Sequence, residues 1–193
     1  MKIIGIAGTN GSGKDTVGHI LANEHNYLFV SVSDLLRDEL ARRGLPPARE
    51  HMRELSAEWR RESGLGVLMD KAVNFYTAQE KTYEGLAIAS LRNPGEADRV
   101  HDLGGQVMWV DADQKLRYER LQSNLDKRGA ARAVDDKKTF EQFVAEEAAE
   151  MQHSGDAATL SMAGVKAKAD MTILNEGNLE DFKQQLVRVL KLA

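Results

Sequence analysis

The sequence predicts an α/β fold in three layers, with a five-stranded parallel sheet between two layers of helices. Two observations carry this. Short apolar runs alternate along the chain with longer stretches whose apolar residues recur at helical spacing, the pattern of repeated βα units. The first of these runs, Ile3-Ile4-Gly5-Ile6-Ala7, leads directly into a glycine-rich turn that opens a helix.

The elements follow in order. A strand at 2–7 rests on the isoleucine run, and Val17, Ile20 and Leu21 give the helical period for 14–24. A second strand is expected at 27–31, followed by a helix at 33–43 with Ser33 as its N-cap. Pro46-Pro47 breaks the chain before an amphipathic helix at 48–62, whose stripe is Met52, Leu55 and Trp59. Trp59 is read as a packing residue, and a further helix is expected at 66–79. Strand three falls at 85–89. Asn93 then caps a helix at 95–102, with Pro94 at its first turn. A strand at 106–110, helices at 113–127, 137–152 and 157–168, and a last strand at 170–174 complete the alternation. Asn178 caps the final helix at 179–191, with Asp181 at its third position.

At 193 residues the chain suits one domain with a small inserted lid. Its 42% apolar content provides a core, and the net charge of −4 argues against a general nucleic-acid or membrane surface. No cysteine is present, which excludes disulfides and thiolate metal sites and suits a reducing, cytoplasmic setting. No secretory leader and no membrane span are expected. The five histidines show no paired metal-ligand spacing.

The turn itself reads Gly8-Thr9-Asn10-Gly11-Ser12-Gly13-Lys14, a G-x-x-x-x-G-K pattern in the strand-to-helix context that such a phosphate loop requires. Glycines allow the positive φ at which successive N–H groups curl around an anion. The helix dipole points at the same spot, and Lys14 adds a point charge. The residue after the lysine, usually Ser or Thr, is here Asp15, with Thr16 next. The G-K-x-T arrangement resembles the nucleoside monophosphate kinases of the adenylate kinase type, and G-K-D-T resembles phage-type deoxynucleoside monophosphate kinases. The resemblance implies a P-loop NTPase fold with an acceptor-binding arm at about 33–80 and a lid at about 126–153. It further implies ATP and Mg²⁺, with Gly8, Asn10, Gly11, Ser12, Gly13, Lys14, Asp15 and Thr16 around the nucleotide. Asp15 and Thr16 are the metal candidates. For Asp15 a metal role through water and a plain helix-dipole role both remain open.

Three more segments extend the resemblance. Ser33-Asp34-Leu35-Leu36-Arg37 is similar to the Thr-Gly-Asp-x-Leu-Arg segment whose arginine holds the acceptor monophosphate, without its central glycine. Arg92, after strand three, fits the second phosphate-binding arginine of a segment like Asp-Gly-x-x-Arg, and Arg53 lies in the acceptor arm. Two arginines from separate elements suit phosphate because each donates a planar pair of hydrogen bonds. The aspartate that usually ends strand three is missing at Ile88-Ala89-Ser90, so Asp34 or Asp15 must supply the carboxylate. Arg120-Leu121 resembles the pair whose arginine packs near the donor nucleotide, and Arg128 is the lid arginine expected to close over the phosphates. The acidic run 141–150 is expected as the exposed face of the lid's return helix.

The closing segment Ala169-Asp170-Met171-Thr172-Ile173-Leu174-Asn175-Glu176-Gly177 resembles that of dephospho-coenzyme A kinases and of an uncharacterised archaeal kinase-like family, and places Asn175 and Gly177 by the adenine. The resemblance thus implies phosphoryl transfer from ATP to a small phosphorylated acceptor, a nucleoside or deoxynucleoside monophosphate. Lys14, Arg92, Arg120, Arg128 and Asp34 would form the catalytic set, and Ser33, Arg37, Arg53 and Arg92 would hold the acceptor. Two alternatives stay open. One is a dephospho-coenzyme A-like hydroxyl acceptor with Asp34 as base. The other is a nucleotide-binding regulator with little turnover.

Overall fold

The computed structural model describes residues 1–123, 137–152 and 155–192. Strands β1 (Lys2–Gly8), β2 (Tyr27–Ser31), β3 (Gly85–Leu91), β4 (Gln106–Asp111) and β5 (Met171–Leu174) form one parallel sheet in the order β2-β3-β1-β4-β5. The described helices are α1 (Lys14–Glu24), α2 (Val32–Arg42), α3 (Arg49–Ser63), α4 (Val67–Thr77), α5 (Pro94–Asp102), α6 (Gln114–Ser123), α7 (Phe140–Met151), α8 (Met162–Ala167) and α9 (Leu179–Leu190). None of them is long and apolar enough to cross a membrane.

The period-two alternation of the strands sorts the core into two layers. Ile3, Ala7, Leu86, Ile88, Val107 and Trp109 face one side, where Leu36, Leu55, Leu68, Val100 and Val165 of α2, α3, α4, α5 and α8 cover them. Ile4, Ile6, Ala87, Ala89, Met108 and Val110 face the other, against Val17, Ile20 and Leu21 of α1 and Phe182 and Leu186 of α9. Both faces of the central strands β3, β1 and β4 are therefore dry, as a parallel sheet requires, while the edge strand β5 keeps exposed positions such as Leu174. β1 lies at the centre between β3 and β4; the chain runs from it to the edge strand β2, returns to β3, and then crosses over β1 to β4 on the other side. Such a switch point leaves a crevice outside the carboxyl end of the central strand, where the glycine turn emerges.

Three local expectations are corrected. Helix α2 starts at Val32 with Ser31 as its cap, so Ser33 lies inside the first turn and caps nothing. Strand β3 continues to Leu91 through a bulge: Ala7 of β1 pairs with Leu91, and Ser90 is passed over with a left-handed φ of 74°. The helix expected at 157–168 shortens to α8, because Asp156 folds the preceding residues into a turn, its Oδ1 accepting from Ala158 N at 2.9 Å and its backbone carbonyl from Thr159 N at 3.0 Å. The carbonyls freed by that turn are taken by distant donors, Asn93 Nδ2 to Ala157 and Thr159 and Arg60 Nη1 to Ala158.

Candidate functional site

The glycine turn after β1 builds the centre of the site. Gly11 and Gly13 hold φ of 80° and 99°, a region other residues enter only at a cost. A β-carbon on Gly13 would lie 2.2 Å from Asn175 Nδ2, so a larger residue there would have to push that amide aside as well as hold a left-handed φ. That Nδ2 donates to the Ser12 carbonyl at 2.9 Å, tying the loop after β5 to the turn. Gly8 packs under the turn, where a β-carbon would meet the Val110 carbonyl at 2.4 Å. Gly13 is the N-cap of α1 and no side chain caps that helix end, so its first N–H groups face the turn.

Two clefts open on either side of this turn, and Lys14 and Asp15 line both. The first, of about 470 Å³, is walled by Gly11, Gly13, Thr16, Arg120, Asn175 and Gly177, with Leu121 and Phe182 supplying apolar surface. Burial pulls the Arg120 guanidinium below its ordinary range, and Glu176 opposes that pull. The second cleft, of about 110 Å³, holds Asn10, Ser33, Arg37, Arg53, Ser90 and Arg92 beside an apolar side of Val32, Leu36 and Met52. The turn's residues thus divide. Asn10 faces the second cleft, where its Oδ1 accepts from Arg92 Nη2 at 3.2 Å, while Ser12 is fully buried beneath the turn.

A nucleotide phosphate and a metal ion can be tested against these residues. Thr9 Oγ1, Ser12 Oγ and Asp15 Oδ1 are buried oxygens without a hydrogen-bond partner. Buried orphans of this kind are rare and costly, and of the three Asp15, at the start of α1, lines both clefts, where its unpartnered oxygen fits a polar ligand. No cluster of three acidic or histidine side chains among the described residues could hold a metal by itself. Mg²⁺ takes one or two carboxylates and completes its shell with water and substrate phosphate. Asp15 and Thr16 are the residues that would hold it.

Around the second cleft the arginines are held by carboxylates that sequence patterns did not single out. Arg92 Nη1 lies 3.0 Å from Glu150 Oε2, and Arg53 Nη2 lies 2.8 Å from Glu150 Oε1. Burial pushes the Glu150 carboxyl up, but Arg92 and Arg53 outweigh it and hold it down at about 2. Arg117 is buried, pairs with Glu147, and donates to the carbonyls of Ala112 at 2.8 Å and Asn10 at 3.4 Å. The acidic run of α7 is therefore not simply an exposed face: Glu147 and Glu150 point inward. Glu96 is also buried; one of its oxygens accepts from Arg60 and the other from the Arg92 and Asn93 backbone N–H groups. The Asn93-x-x-Glu96 capping pattern was the one local signal for it.

Asp34 stands apart. Its side chain is 61% exposed, is bonded to Arg37 at 2.6 Å, and does not line the second cleft. Arg128 lies outside the described residues.

A glycine loop at the switch point of a parallel sheet, with a lysine between two clefts, defines a P-loop kinase-like fold. The chain belongs to the AAA domain family, whose profile matches residues 4–148. It is 28% identical over 191 residues to a UPF0200 protein of Thermococcus sibiricus, covering 97% of this chain and 93% of that one. It is also 28% identical over 193 residues to a UPF0200 protein of Pyrobaculum aerophilum, covering 98% and 97%. Among solved structures, shikimate kinase from Bacteroides thetaiotaomicron superposes with a TM-score of 0.60 at 14% identity, covering 98% of both chains. At that identity the likeness is one of fold.

Proposed function

We propose that the protein transfers the γ-phosphoryl group of ATP to a small phosphorylated acceptor, a nucleoside or deoxynucleoside monophosphate. The observation that carries this reading is that Lys14 and Asp15 wall both clefts, so a donor on one side and an acceptor on the other meet at the same two side chains. The larger cleft, with its glycine backbone and apolar end, suits a nucleoside triphosphate; the smaller, rich in arginine, suits an anionic acceptor. The whole chain is one kinase domain in this reading, with residues 33–80 as acceptor arm and 126–153 as lid.

Lys14 and the loop amides hold the β- and γ-phosphates, and Asn175 and Gly177 border the base. Arg37, Arg53 and Arg92 orient the acceptor phosphate, with Ser33 beside them. Arg120, and Arg128 from the lid, offset charge on the transferring group. Asp15 and Thr16 would hold Mg²⁺, which would supply positive charge against the phosphate oxygens. An acceptor phosphate oxygen attacks the γ-phosphorus as the β–γ bridging bond breaks, and ADP leaves. Such an oxygen is already ionised, so positioning replaces a strong base and Asp34 is not needed for proton removal.

The test is ADP release, measured over a panel of ribonucleoside and deoxynucleoside monophosphates with dephospho-coenzyme A included. Release that depends on one monophosphate is the expected result. ATP binding without acceptor-dependent release from any member of the panel would overturn the reading.

A further inference from the structure

The smaller cleft is partly filled by the chain itself. Glu150 of α7 reaches in and bridges two elements, one oxygen to Arg53 of α3 at 2.8 Å and the other to Arg92, just beyond β3, at 3.0 Å. Its side chain is 8% exposed, whereas those of Arg53 and Arg92 are 48% and 26% exposed. The carboxylate thus sits at the buried end of a seat whose cations still face the cleft.

Two further observations point to replacement. First, charge: Arg53 and Arg92 carry two positive charges and share one carboxylate, so the seat is under-neutralised. A phosphate dianion balances both, and it bonds guanidinium groups with the same two-pronged geometry. Second, space: the second cleft holds about 110 Å³ against about 470 Å³ for the first. Sites for ligands of nucleotide size commonly run to several hundred Å³, so the smaller cleft is short of room while Glu150 lies in it.

We infer that Glu150 is an internal ligand of the acceptor's anion seat: its carboxylate occupies the place of the acceptor phosphate between Arg53 and Arg92, and the acceptor binds by displacing it. This rests on the reading of the smaller cleft as the acceptor side. Glu150 then sets acceptor affinity, because a ligand that binds only the vacated seat has its affinity reduced by the fraction of molecules in which the seat is vacant. The seat also favours a dianion over a monoanion, since only the former neutralises both arginines.

The experiment titrates inorganic phosphate into the full chain by calorimetry, with parent and variants all in a Lys14→Ala background that weakens the competing phosphate loop. Glu150→Gln keeps the side chain's size and removes its charge, and it should tighten phosphate at least tenfold. Adding Arg92→Ala should abolish that gain, and acetate should gain less than phosphate. Should Glu150→Gln prove too unstable, Glu150→Asp is too short to span both arginines and should shift phosphate affinity in the same direction. Phosphate binding that is unchanged or weaker in a folded variant overturns the inference, as does a larger gain for acetate. Failure here leaves acceptor-dependent ADP release untouched, and absence of that release leaves the phosphate titration standing, so the two readings fail separately.

Discussion

The Arg60 guanidinium donates to the Glu96 carboxylate at 2.6 Å, with the two side chains 3% and 0% exposed. The pair ties α3, which carries Arg53, to the first turn of α5, whose Glu96 also accepts from the backbone N–H of Arg92 just beyond β3. Removing one member of a buried ion pair strands the other charge and costs about 3–5 kcal/mol. Glu96→Ala should lower the unfolding free energy by about that amount in denaturant titration, because it also strips the acceptor from the Arg92 and Asn93 N–H groups. A loss under about 1 kcal/mol would mean water has replaced the carboxylate and that the pair does not hold the strand end.

Ser90 raises a different question, one of backbone conformation. It is buried at a bulge with φ of 74°, where glycine is at ease and a side chain is strained. Such strain costs about 1–3 kcal/mol and persists where surrounding structure imposes it. Ser90→Val, β-branched, should lower the melting temperature by about 4 °C or more, since a 1 kcal/mol loss shifts a chain of this size by about 2–4 °C. Ser90→Gly should hold or raise it, the relieved strain offsetting the greater freedom of the unfolded chain. A valine variant as stable as the parent would show that the bulge yields to the side chain.

The ease of reading these features from sequence follows how local they are. The glycine turn is legible because all its chemistry lies within residues 8–16, and the five parallel strands follow from apolar runs and βα alternation, whereas their order in the sheet leaves no such local signal. The Asn93 and Asn178 caps are read from three-residue patterns, and the side chains do accept from Gly95 N and Asp181 N at 2.8 and 2.9 Å. Glu150 is not legible, because its partners Arg92 and Arg53 lie 58 and 97 residues away and leave no periodic trace. Within its own segment it is one acid among several on an amphipathic helix. The shortened α8 fails for the same reason: the Asn93 and Arg60 donors that claim the carbonyls of 157–159 come from α3 and the loop before α5.

Glu150 also makes acid stability a measurable quantity. Its carboxyl is held at about 2, below the ordinary 4.5, by Arg92 and Arg53, with Arg49 adding to the pull against the opposing effect of burial. A depressed folded-state value contributes stability that is present above the unfolded value and is lost as pH falls toward the folded one. The window therefore runs from pH 4.5 down to about 2. The contribution near neutrality is on the order of 3 kcal/mol. The difference in unfolding free energy between parent and Glu150→Gln should shrink as pH drops from about 6 to about 3. A difference that stays constant over that range would mean the carboxylate gains nothing from its arginines.

The two clefts predict opposite kinetic signatures for two arginines. Arg92 walls only the smaller cleft and Arg120 only the larger. A charged hydrogen bond is worth about 1.5–3 kcal/mol, or about 10- to 100-fold in affinity. Arg92→Ala should therefore raise the acceptor KM by at least tenfold while leaving the KM for ATP within about twofold, and Arg120→Ala should do the reverse. Arg92→Lys keeps the charge but loses the planar fork, and it should recover only part of the acceptor affinity. Arg92 also holds Asn10 of the glycine turn at 3.2 Å, so some loss of ATP affinity would reach the donor side if that bond shaped the turn. Equal effects of Arg92→Ala on both substrates would assign the side chain to the turn and remove it from the acceptor seat. A split confined to the acceptor would place the boundary between donor and acceptor at Lys14 and Asp15, the two side chains common to both clefts.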